Sequence, residues 1–183
     1  MKIAEQKFVL KNSKNVTLRS AVPEDAENLL RHLVQSHSES YRNLNNPGEF
    51  WARMSVEEER KILAEMDSAK NKFMLVALHE DAIVGGLGLF AQTAEFVKQN
   101  ASLGMSIQRE FCNSGLGTEL MRLALTKAKI AGLHRLDLLV RTYNLEGIAL
   151  YEKMGFQRIG LLKEIAFVDG QYVDEFSYQL ILK

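Results

Sequence analysis

This chain has little cysteine, little proline and no net charge. Only Cys112 is a cysteine among the 183 residues. One thiol cannot form an internal disulfide or a cysteine-based zinc site, and such sparse usage fits a reducing compartment. We therefore predict a cytoplasmic protein without a metal site. Proline occurs twice, and no linker, repeat or low-complexity segment is visible.

The charge balance and the short apolar runs exclude further classes of protein. Lys plus Arg and Asp plus Glu number 23 each. Such a chain has no overall field that attracts nucleic acid or an anionic membrane, and we expect neither as a partner. Residues 8–10 are too few for the core of a signal peptide, and residues 82–91 fall short of the roughly 18 apolar residues of a membrane span.

The composition is that of a folded domain, with 46% apolar and 25% charged residues. We predict one domain over residues 1–183, with its core at about 16–182. Apolar residues alternate in short segments and recur every three to four residues in longer ones. These two patterns follow each other along the chain, which indicates an α+β domain with a central mixed sheet and flanking helices.

Two helices are predicted in the first third of the chain. The first begins after Pro23 and has an apolar stripe that breaks near His37, and a loop carrying aromatic residues follows as far as Trp51. Ser55 and Glu58 form a capping box for the second helix. We assign its buried face to Val56, Ile62, Leu63 and Met66.

A hairpin and a crossover unit follow. Residues 73–78 and 83–90 are expected to pair as antiparallel strands. Residues 101–107 predict a further strand, and the apolar stripe between Leu116 and Ala131 predicts a helix. The nearly all-apolar residues 136–140 are typical of a strand in a parallel pair, so strand, helix and strand form a crossover.

The segment 113–118, Asn-Ser-Gly-Leu-Gly-Thr, joins the strand of this crossover to its helix; we call it the glycine loop. Glycines let a backbone approach a ligand closely, and the N–H groups at a helix N-terminus bind phosphate oxygens. An anion site is one interpretation, and glycines that serve only the turn are the other. The segment does not fit the P-loop, because Gly117 is followed by Thr118 and Glu119, nor the dinucleotide fingerprint, because Leu120 replaces the third glycine.

A second feature is the helix predicted from about Asn144 to Met154. Asn144, Ile148 and Tyr151 are spaced by four and seven residues, so they share one face of that helix. A tyrosine in this setting is commonly an amphipathic core residue, and a functional role needs other support. Two last strands follow, joined by a turn at residues 169–170.

Four segments occur in an order that is more specific than any single motif. They are residues 107–117, residues 138–140, Asn144 and residues 148–156. Together they resemble the GNAT superfamily of acyl-CoA-dependent N-acetyltransferases. Residues 160–174 are similar to the branch that includes ribosomal-protein and small-amine acetyltransferases. The resemblance implies the acyl-CoA N-acyltransferase fold, a mixed, mostly antiparallel sheet whose two central parallel strands splay apart.

The resemblance further implies that acetyl-CoA is the co-substrate and fills the opening between the splayed strands. Its pantetheine arm follows the first of these strands in the family, and its pyrophosphate lies on the amides of the glycine loop. On this basis we assign cofactor binding to Ile107, Arg109, Cys112, Asn113, Ser114, Gly115, Leu116, Gly117, Thr118, Asn144, Tyr151 and Lys153.

The glycine loop departs from the family at its beginning. Cys112 stands where the family usually has Arg or Gln, and Asn113 and Ser114 stand where it often has Gly and a basic residue. We expect weaker cofactor binding, with Arg109 or Lys153 supplying charge nearby. Acylation or oxidation of Cys112 is an alternative, although a lone thiol without a base or metal partner is more often inert.

The mechanism implied by the resemblance is direct attack of a neutral amine on the thioester. Backbone amides near the first splayed strand stabilise the oxyanion, Tyr151 protonates the departing sulfur, and Asn144 holds the cofactor arm or an ordered water. The group that takes the proton from the amine is not evident, because residues 101–107 contain no acid. By chemistry alone the candidates are Glu110, His37, Glu164 and Asp174.

The resemblance also gives an expectation for the acceptor pocket, which the family builds from the first two helices, the loop between them and the last hairpin. These elements contain aromatic and acidic side chains that can form a cage for a cationic amine. The residues are His37, Tyr41, Trp51, Tyr172 and Asp174. Simple packing between loop and sheet is the alternative.

Our leading hypothesis is an enzyme, an N-acetyltransferase that uses acetyl-CoA to acetylate a primary amine of a small molecule or peptide. The alternative is a non-catalytic acyl-CoA-binding or regulatory module of the same fold, suggested by Cys112 and the missing base. A protein whose glycine loop holds ATP is disfavoured because the P-loop lysine is missing. A homodimer is frequent in this superfamily, but no sequence feature defines an interface.

Overall fold

The computed structural model describes residues 2–69 and 71–183, and these residues form one eight-stranded sheet. The strand order is β1-β2-β3-β4-β5-β6-β8-β7. Among the described residues, every pair of neighbouring strands is antiparallel except β5 and β6. The strands are β1 Gln6–Val9, β2 Asn15–Ser20, β3 Lys72–His79, β4 Ala82–Ala91, β5 Asn100–Ile107, β6 Arg135–Arg141, β7 Gln157–Val168 and β8 Gln171–Ile181.

The parallel strands β5 and β6 separate soon after they begin. Their register joins Asn100 to Arg135, Ala101 to Leu136 and Ser102 to Asp137. Beyond these pairs, β5 stays bonded to β4 and β6 stays bonded to β8. Two parallel strands that part while each keeps its outer partner leave a wedge between them. The predicted fold class, a mixed and mostly antiparallel sheet with splayed central strands, is confirmed.

Helices cover both faces of the sheet. They are α1 Ala26–Glu39, α2 Gly48–Ala52, α3 Val56–Ser68, α4 Leu116–Ile130 and α5 Leu145–Lys153. Successive residues of a strand point to opposite faces, so Leu75 and Val76 of β3 enter different cores. Val76 belongs to the cluster with Leu29 of α1, whereas Leu75 belongs to the cluster with Leu120 of α4. No helix in the described part of the chain is long and apolar enough to cross a membrane.

Most local predictions agree with these elements. The hairpin of β3 and β4 is present, and its turn residues Glu80 and Asp81 both have positive φ. The capping box is also present, since the Ser55 hydroxyl accepts from the backbone N–H of Glu58 at 3.2 Å and the Glu58 carboxylate accepts from the backbone N–H of Ser55 at 2.8 Å. The turn at residues 169–170 joins β7 to β8.

The end of α1 agrees with the predicted break near His37, since the helix ends two residues later at Glu39 and His37 is buried against Trp51 with ring centroids 5.3 Å apart. Three other details of the local prediction are wrong. Trp51 itself lies in the short helix α2 and not in a loop. Ile62 is 39% exposed, although we assigned it to the buried face of α3. The short strand β1 was not predicted at all.

Candidate active site

A cleft of about 550 Å³ lies between the end of β5 and α5, the helix that follows β6. Five parts of the chain form its walls. They are the end of β5, the glycine loop, α5, the turn between β1 and β2, and the connection between α1 and α2. Nine of the residues assigned from the sequence line it, namely Ile107, Cys112, Asn113, Gly115, Gly117, Thr118, Asn144, Tyr151 and Lys153. The structure therefore brings together residues that are distant in the sequence.

The glycine loop presents free backbone amides to this cleft. Gly115 is the N-cap residue of α4, with φ of 93°, a left-handed conformation that costs glycine little. No side chain caps this end of α4. The first N–H groups of a helix have no partner within the helix, so those of Gly117 and Thr118, which line the cleft, are available to an anion.

Gly117 allows α4 to lie close to the cleft wall. A Cβ atom at this position would lie 3.1 Å from Cδ2 of Leu150 and 3.3 Å from Cδ1 of Ile107. These distances are tighter than ordinary van der Waals contact, so a larger residue would require the side chains of Leu150 and Ile107 to shift. The second glycine of the loop thus serves close packing, while the first serves the turn.

Tyr151 lies on the inner face of α5 and lines the cleft. Its ring is 9% exposed and packs edge-on against Phe156, with centroids 6.1 Å apart. Burial disfavours the phenolate and raises the pKa of Tyr151 to about 12. The side chain therefore keeps its proton at neutral pH and can act as a donor.

Asn144 is the N-cap residue of α5 and lies outside the helix proper. Its side-chain oxygen accepts a hydrogen bond from the backbone N–H of Gly147 at 3.0 Å. This cap satisfies one of the free donors at the start of α5. The side-chain nitrogen is not used by the cap, and Asn144 lines the cleft. The residue thus combines a structural role with a position beside the site.

Three of the residues assigned to cofactor binding do not line the cleft. Leu116 is fully buried, and the Ser114 hydroxyl donates to the carbonyl of Phe111 at 2.6 Å, which stabilises the loop. Arg109 is held at the end of α1: its backbone N–H donates to the Glu39 carboxylate at 2.7 Å, and its guanidinium donates to the Glu39 carbonyl at 2.6 Å. Arg109 lines a second cavity, together with Tyr41 and Tyr143.

Cys112 is half-buried at the wall of the cleft. Its thiol contacts the carbonyls of Ile107 and Gln108, at 3.9 and 3.7 Å. Burial raises the pKa of the thiol, and the nearby carboxylate of Glu146 raises it further. A neutral thiol is a weak nucleophile, which disfavours the alternative in which Cys112 is acylated.

Two lysines flank the glycine loop, and the sequence analysis identified only one of them. Lys153 lies beside α4, with its ammonium 3.5 Å from the hydroxyl of Thr118. Lys11 reaches the cleft from the turn between β1 and β2. The acid Glu146 is held by the side chain of Asn113, which donates to it at 2.9 Å. Nothing local in the sequence around Lys11 marks it, because its position depends on the pairing of β1 with β2.

The residues assigned to the acceptor cage do not form one cage. His37 and Trp51 contact each other between α1 and α2, and Tyr172 stacks against Phe167 in the last hairpin, with ring centroids 5.0 Å apart. None of the five assigned residues lines the main cleft. Of these five residues, Tyr41 lies nearest to the cleft, because it lines the second cavity.

The second cavity, of about 510 Å³, lies next to the cleft and shares Ser40 and Asn43 with it. Tyr41 and Arg109 line this cavity. The Tyr41 hydroxyl donates to the carboxylate of Asp169 at 3.0 Å, so the connection after α1 is joined to the last hairpin. This cavity is therefore continuous with the cleft at its lining residues.

None of the four candidate bases lines the cleft, and the side chains of three of them are engaged elsewhere. Glu110 pairs with Lys14, and Asp174 accepts from the backbone N–H of Glu164 at 2.8 Å. His37 contacts the carbonyl of Asn46 at 2.6 Å. A different polar pair borders the cleft: Nε2 of His32 lies 3.0 Å from the hydroxyl of Ser106 at the end of β5. The sequence analysis did not identify it.

The parted strands, with the uncapped helix N-terminus beside them, define an acyltransferase of the acyl-CoA N-acyltransferase fold. A family model described as "Acetyltransferase (GNAT) family" matches residues 30–156, and the chain belongs to this family. It is therefore an acetyl-CoA-dependent acyltransferase, as the sequence resemblance implied.

Similar proteins agree with this assignment. The prophage-derived N-acetyltransferase YokL of Bacillus subtilis is 25% identical over 174 residues, which is 90% of this chain and 88% of YokL. A GNAT-family acetyltransferase structure from Streptococcus pneumoniae has a TM-score of 0.87 at 26% identity, covering 92% of this chain and 99% of that one.

Two more distant structures share the fold. The ribosomal-protein-S5-alanine acetyltransferase of Vibrio fischeri has a TM-score of 0.84 at 16% identity, covering 99% of this chain and 98% of that one. An acetyltransferase of Salmonella typhimurium, solved with its cofactor acetyl-CoA, has a TM-score of 0.79 at 15% identity, covering 92% of this chain and 94% of that one.

The residues of the cleft fit an acyl-CoA. The uncapped amides of α4 suit a diphosphate, and the close approach at Gly117 leaves the backbone of the loop accessible. The wall formed by Met105, Ile107 and Leu150 is apolar and suits the pantetheine arm. These matches come from the geometry of this chain itself.

Proposed function

We propose that this protein is an N-acetyltransferase that transfers the acetyl group of acetyl-CoA to a primary amine of a small molecule or peptide. The transfer takes place by direct attack in a ternary complex. One observation carries the proposal: a single cleft contains the uncapped N-terminus of α4 and the buried, protonated Tyr151. The single cysteine supports a reducing, cytoplasmic location.

The cofactor-binding side of the cleft is formed by three kinds of group. The amides of Gly117 and Thr118, both at the cleft wall, bind the pyrophosphate, helped by the dipole of α4. The end of β5 binds the pantetheine arm through backbone groups at Ile107. Asn144 supplies its side-chain nitrogen to the arm or to a water molecule while its oxygen caps α5.

Tyr151 performs the proton transfer to the leaving group. Bound acetyl-CoA supplies an activated acetyl thioester, and its sulfur leaves as a thiolate. The hydroxyl of Tyr151 holds its proton at neutral pH because burial raises its pKa to about 12. It is therefore protonated when the sulfur leaves, and it donates a hydrogen bond and then its proton to the developing thiolate. The amine nitrogen releases one proton to solvent as the amide forms, and Tyr151 takes one back from solvent.

The acceptor enters from the second cavity, which adjoins the cleft at Ser40 and Asn43. Asp169 borders this side, and its carboxylate pairs with Arg42 and accepts from the Tyr41 hydroxyl, so its charge is largely compensated. The carboxylate of Glu39 accepts from the backbone N–H of Arg109 and forms no ion pair among the described residues. This argues for an acceptor recognised by contacts at Tyr41 and by the single carboxylate of Glu39 more than by a strongly acidic cage.

Isothermal titration with acetyl-CoA and CoA, followed by thiol release on the same sample, tests the proposal. The amine panel contains polyamines, amino acids, aminoglycosides and peptides with free N-termini. Micromolar binding with thiol release on one amine class supports the enzyme and names its acceptor. Binding without release on any of these amines supports the non-catalytic acyl-CoA-binding module. Absence of binding overturns the proposal, and light scattering on the sample tests for a homodimer.

A further inference from the structure

Lys11 lies against the glycine loop although it is far from that loop in the sequence. It follows β1, and its backbone N–H donates to the carbonyl of Ser114 at 2.9 Å. Its side chain extends over Gly115, because a Cβ atom built on that glycine would lie 3.8 Å from Cε and 3.9 Å from Cγ of Lys11. The turn between β1 and β2 thus forms a wall of the cleft at the start of α4.

The charge of Lys11 is not neutralised by the protein. Among the residues that the structure describes, no carboxylate forms an ion pair with Lys11. Lys14 in the same turn behaves differently, since its ammonium pairs with Glu110 and lies 4.7 Å from the ring centre of Phe111. Lys11 therefore directs an uncompensated cation into a cleft, whereas Lys14 stabilises the turn.

The glycine loop itself lacks the charge that a diphosphate requires. Residues 112–118 contain no lysine or arginine, and the N-terminus of α4 carries only about half a positive charge. A diphosphate diester carries two negative charges. Arg109, the basic residue nearest in sequence, is held by Glu39 at the end of α1. A cation from another part of the chain is therefore needed, and Lys11 is in position.

We propose that Lys11 binds the pyrophosphate of acetyl-CoA and replaces the basic residue that the glycine loop lacks. Lys153 stands on the other side of the loop, near Thr118, so the two ammonium groups approach the anion from different elements. This inference rests on the proposed function, and it adds a specific phosphate-binding residue to the site. It also explains how a loop containing Cys112, Asn113 and Ser114 can bind CoA.

Titration calorimetry of CoA binding to the Lys11→Met variant tests the inference. We expect the dissociation constant to rise about 10-fold, the low end of the effect of losing one hydrogen bond between charged groups, because the site is partly exposed. The dependence of affinity on salt should also become weaker, because one fewer charge is screened. Lys7→Met is the matched control: it makes the same charge change on β1, at an exposed residue outside the cleft, and should bind like the wild type.

Three further measurements distinguish the outcomes. Lys11→Arg keeps the charge and should retain most of the affinity, and unchanged thermal unfolding of Lys11→Met excludes misfolding. Dephospho-CoA keeps the pyrophosphate and lacks the 3′-phosphate, so Lys11→Met should weaken its binding by the same factor as the binding of CoA. If Lys11→Met weakens the binding of CoA alone, Lys11 contacts the 3′-phosphate and the pyrophosphate assignment is overturned. If the wild type binds CoA and Lys11→Met binds equally well, the inference on Lys11 is wrong while the proposed function stands. If the wild type does not bind, the proposed function itself fails.

Discussion

Nε2 of His32 lies 3.0 Å from the hydroxyl oxygen of Ser106, which joins the middle of α1 to the strand that borders the cleft. The imidazole is 1% exposed, and its Nδ1 atom has no partner among the described residues. Burial, with a smaller effect of nearby His37, lowers the pKa of His32 to about 4. The ring is therefore neutral at pH 7 and serves to hold β5 in place.

The first prediction concerns the acid stability of this pair. In the unfolded chain His32 takes up a proton below about pH 6.5, but in the folded protein only below about pH 4. The unfolded state thus binds more protons between these values, and stability falls as the pH falls through this window. Between pH 7 and pH 5 we expect His32 to account for a loss of about 2 kcal/mol in the free energy of unfolding.

Urea unfolding at several pH values measures this loss. His32→Gln keeps a polar side chain of similar length and removes the titration, so it should lose less stability than the wild type between pH 7 and pH 5. Other groups, such as the carboxylate of Asp25, titrate equally in both proteins and cancel in the comparison. Parallel pH curves for the two proteins would contradict the prediction.

Tyr151→Phe is expected to separate turnover from binding. The substitution removes the proton donor and leaves the ring that packs against Phe156. We expect kcat to fall by about 100-fold or more, the usual contribution of a general acid, with the dissociation constant of CoA within about 3-fold of wild type. Steady-state thiol release and calorimetry measure the two quantities.

A second tyrosine provides the control for Tyr151→Phe. Tyr178 is also buried, and its hydroxyl donates to Glu152 at 2.8 Å, but it does not line the cleft. Tyr178→Phe should therefore lower stability by about 1 kcal/mol and leave kcat unchanged. Unchanged kcat in Tyr151→Phe with a good acceptor would show that another group protonates the sulfur.

The sequence predicted those parts of the site that depend on local pattern. The helix stripe after Leu116, the glycines of the loop and the position of Tyr151 each follow from residues close to one another in the chain. Lys11 and the pair of His32 with Ser106 could not be found in this way. His32 and Ser106 are separated by 74 residues, and their contact exists only because α1 packs on the sheet beneath β5.

The acceptor region illustrates the same limit. Tyr41, Trp51 and Tyr172 were grouped because their elements were expected to meet, and the elements do meet through the contact of Tyr41 with Asp169. The directions of the side chains could not be predicted, because they depend on contacts between elements. Trp51, for example, donates to His37 of α1 and lies against its ring. Chemical type and element order indicate a region of the molecule, whereas packing decides which side chains share a cavity.

Asn144 is expected to show two separable roles. Asn144→Ala removes the cap of α5 and should cost about 1 kcal/mol of stability. Asn144→Ser retains an oxygen that can cap the helix but lacks the side-chain nitrogen, so it should keep stability and weaken CoA binding. Thermal unfolding and calorimetry on both variants test this division. Equal CoA affinity in wild type and Asn144→Ser would leave Asn144 with the capping role alone.

Arg141 and Glu175 form an ion pair whose side chains are only 3% and 6% exposed, where the end of β6 pairs with the middle of β8. Arg141 also donates to the side chain of Asn45 at 3.2 Å, so the pair anchors the connection between α1 and α2 over the sheet.

Glu175→Gln leaves the guanidinium buried without its countercharge, and we expect a loss of about 3–5 kcal/mol in the free energy of unfolding. The double variant Arg141→Met, Glu175→Leu removes both charges and should recover most of that loss, because neither ion then has to be desolvated. Urea unfolding of the single and double variants measures the coupling; a double variant as unstable as Glu175→Gln would mean that the hydrogen bond to Asn45, and not the charge pair, holds this part of the fold.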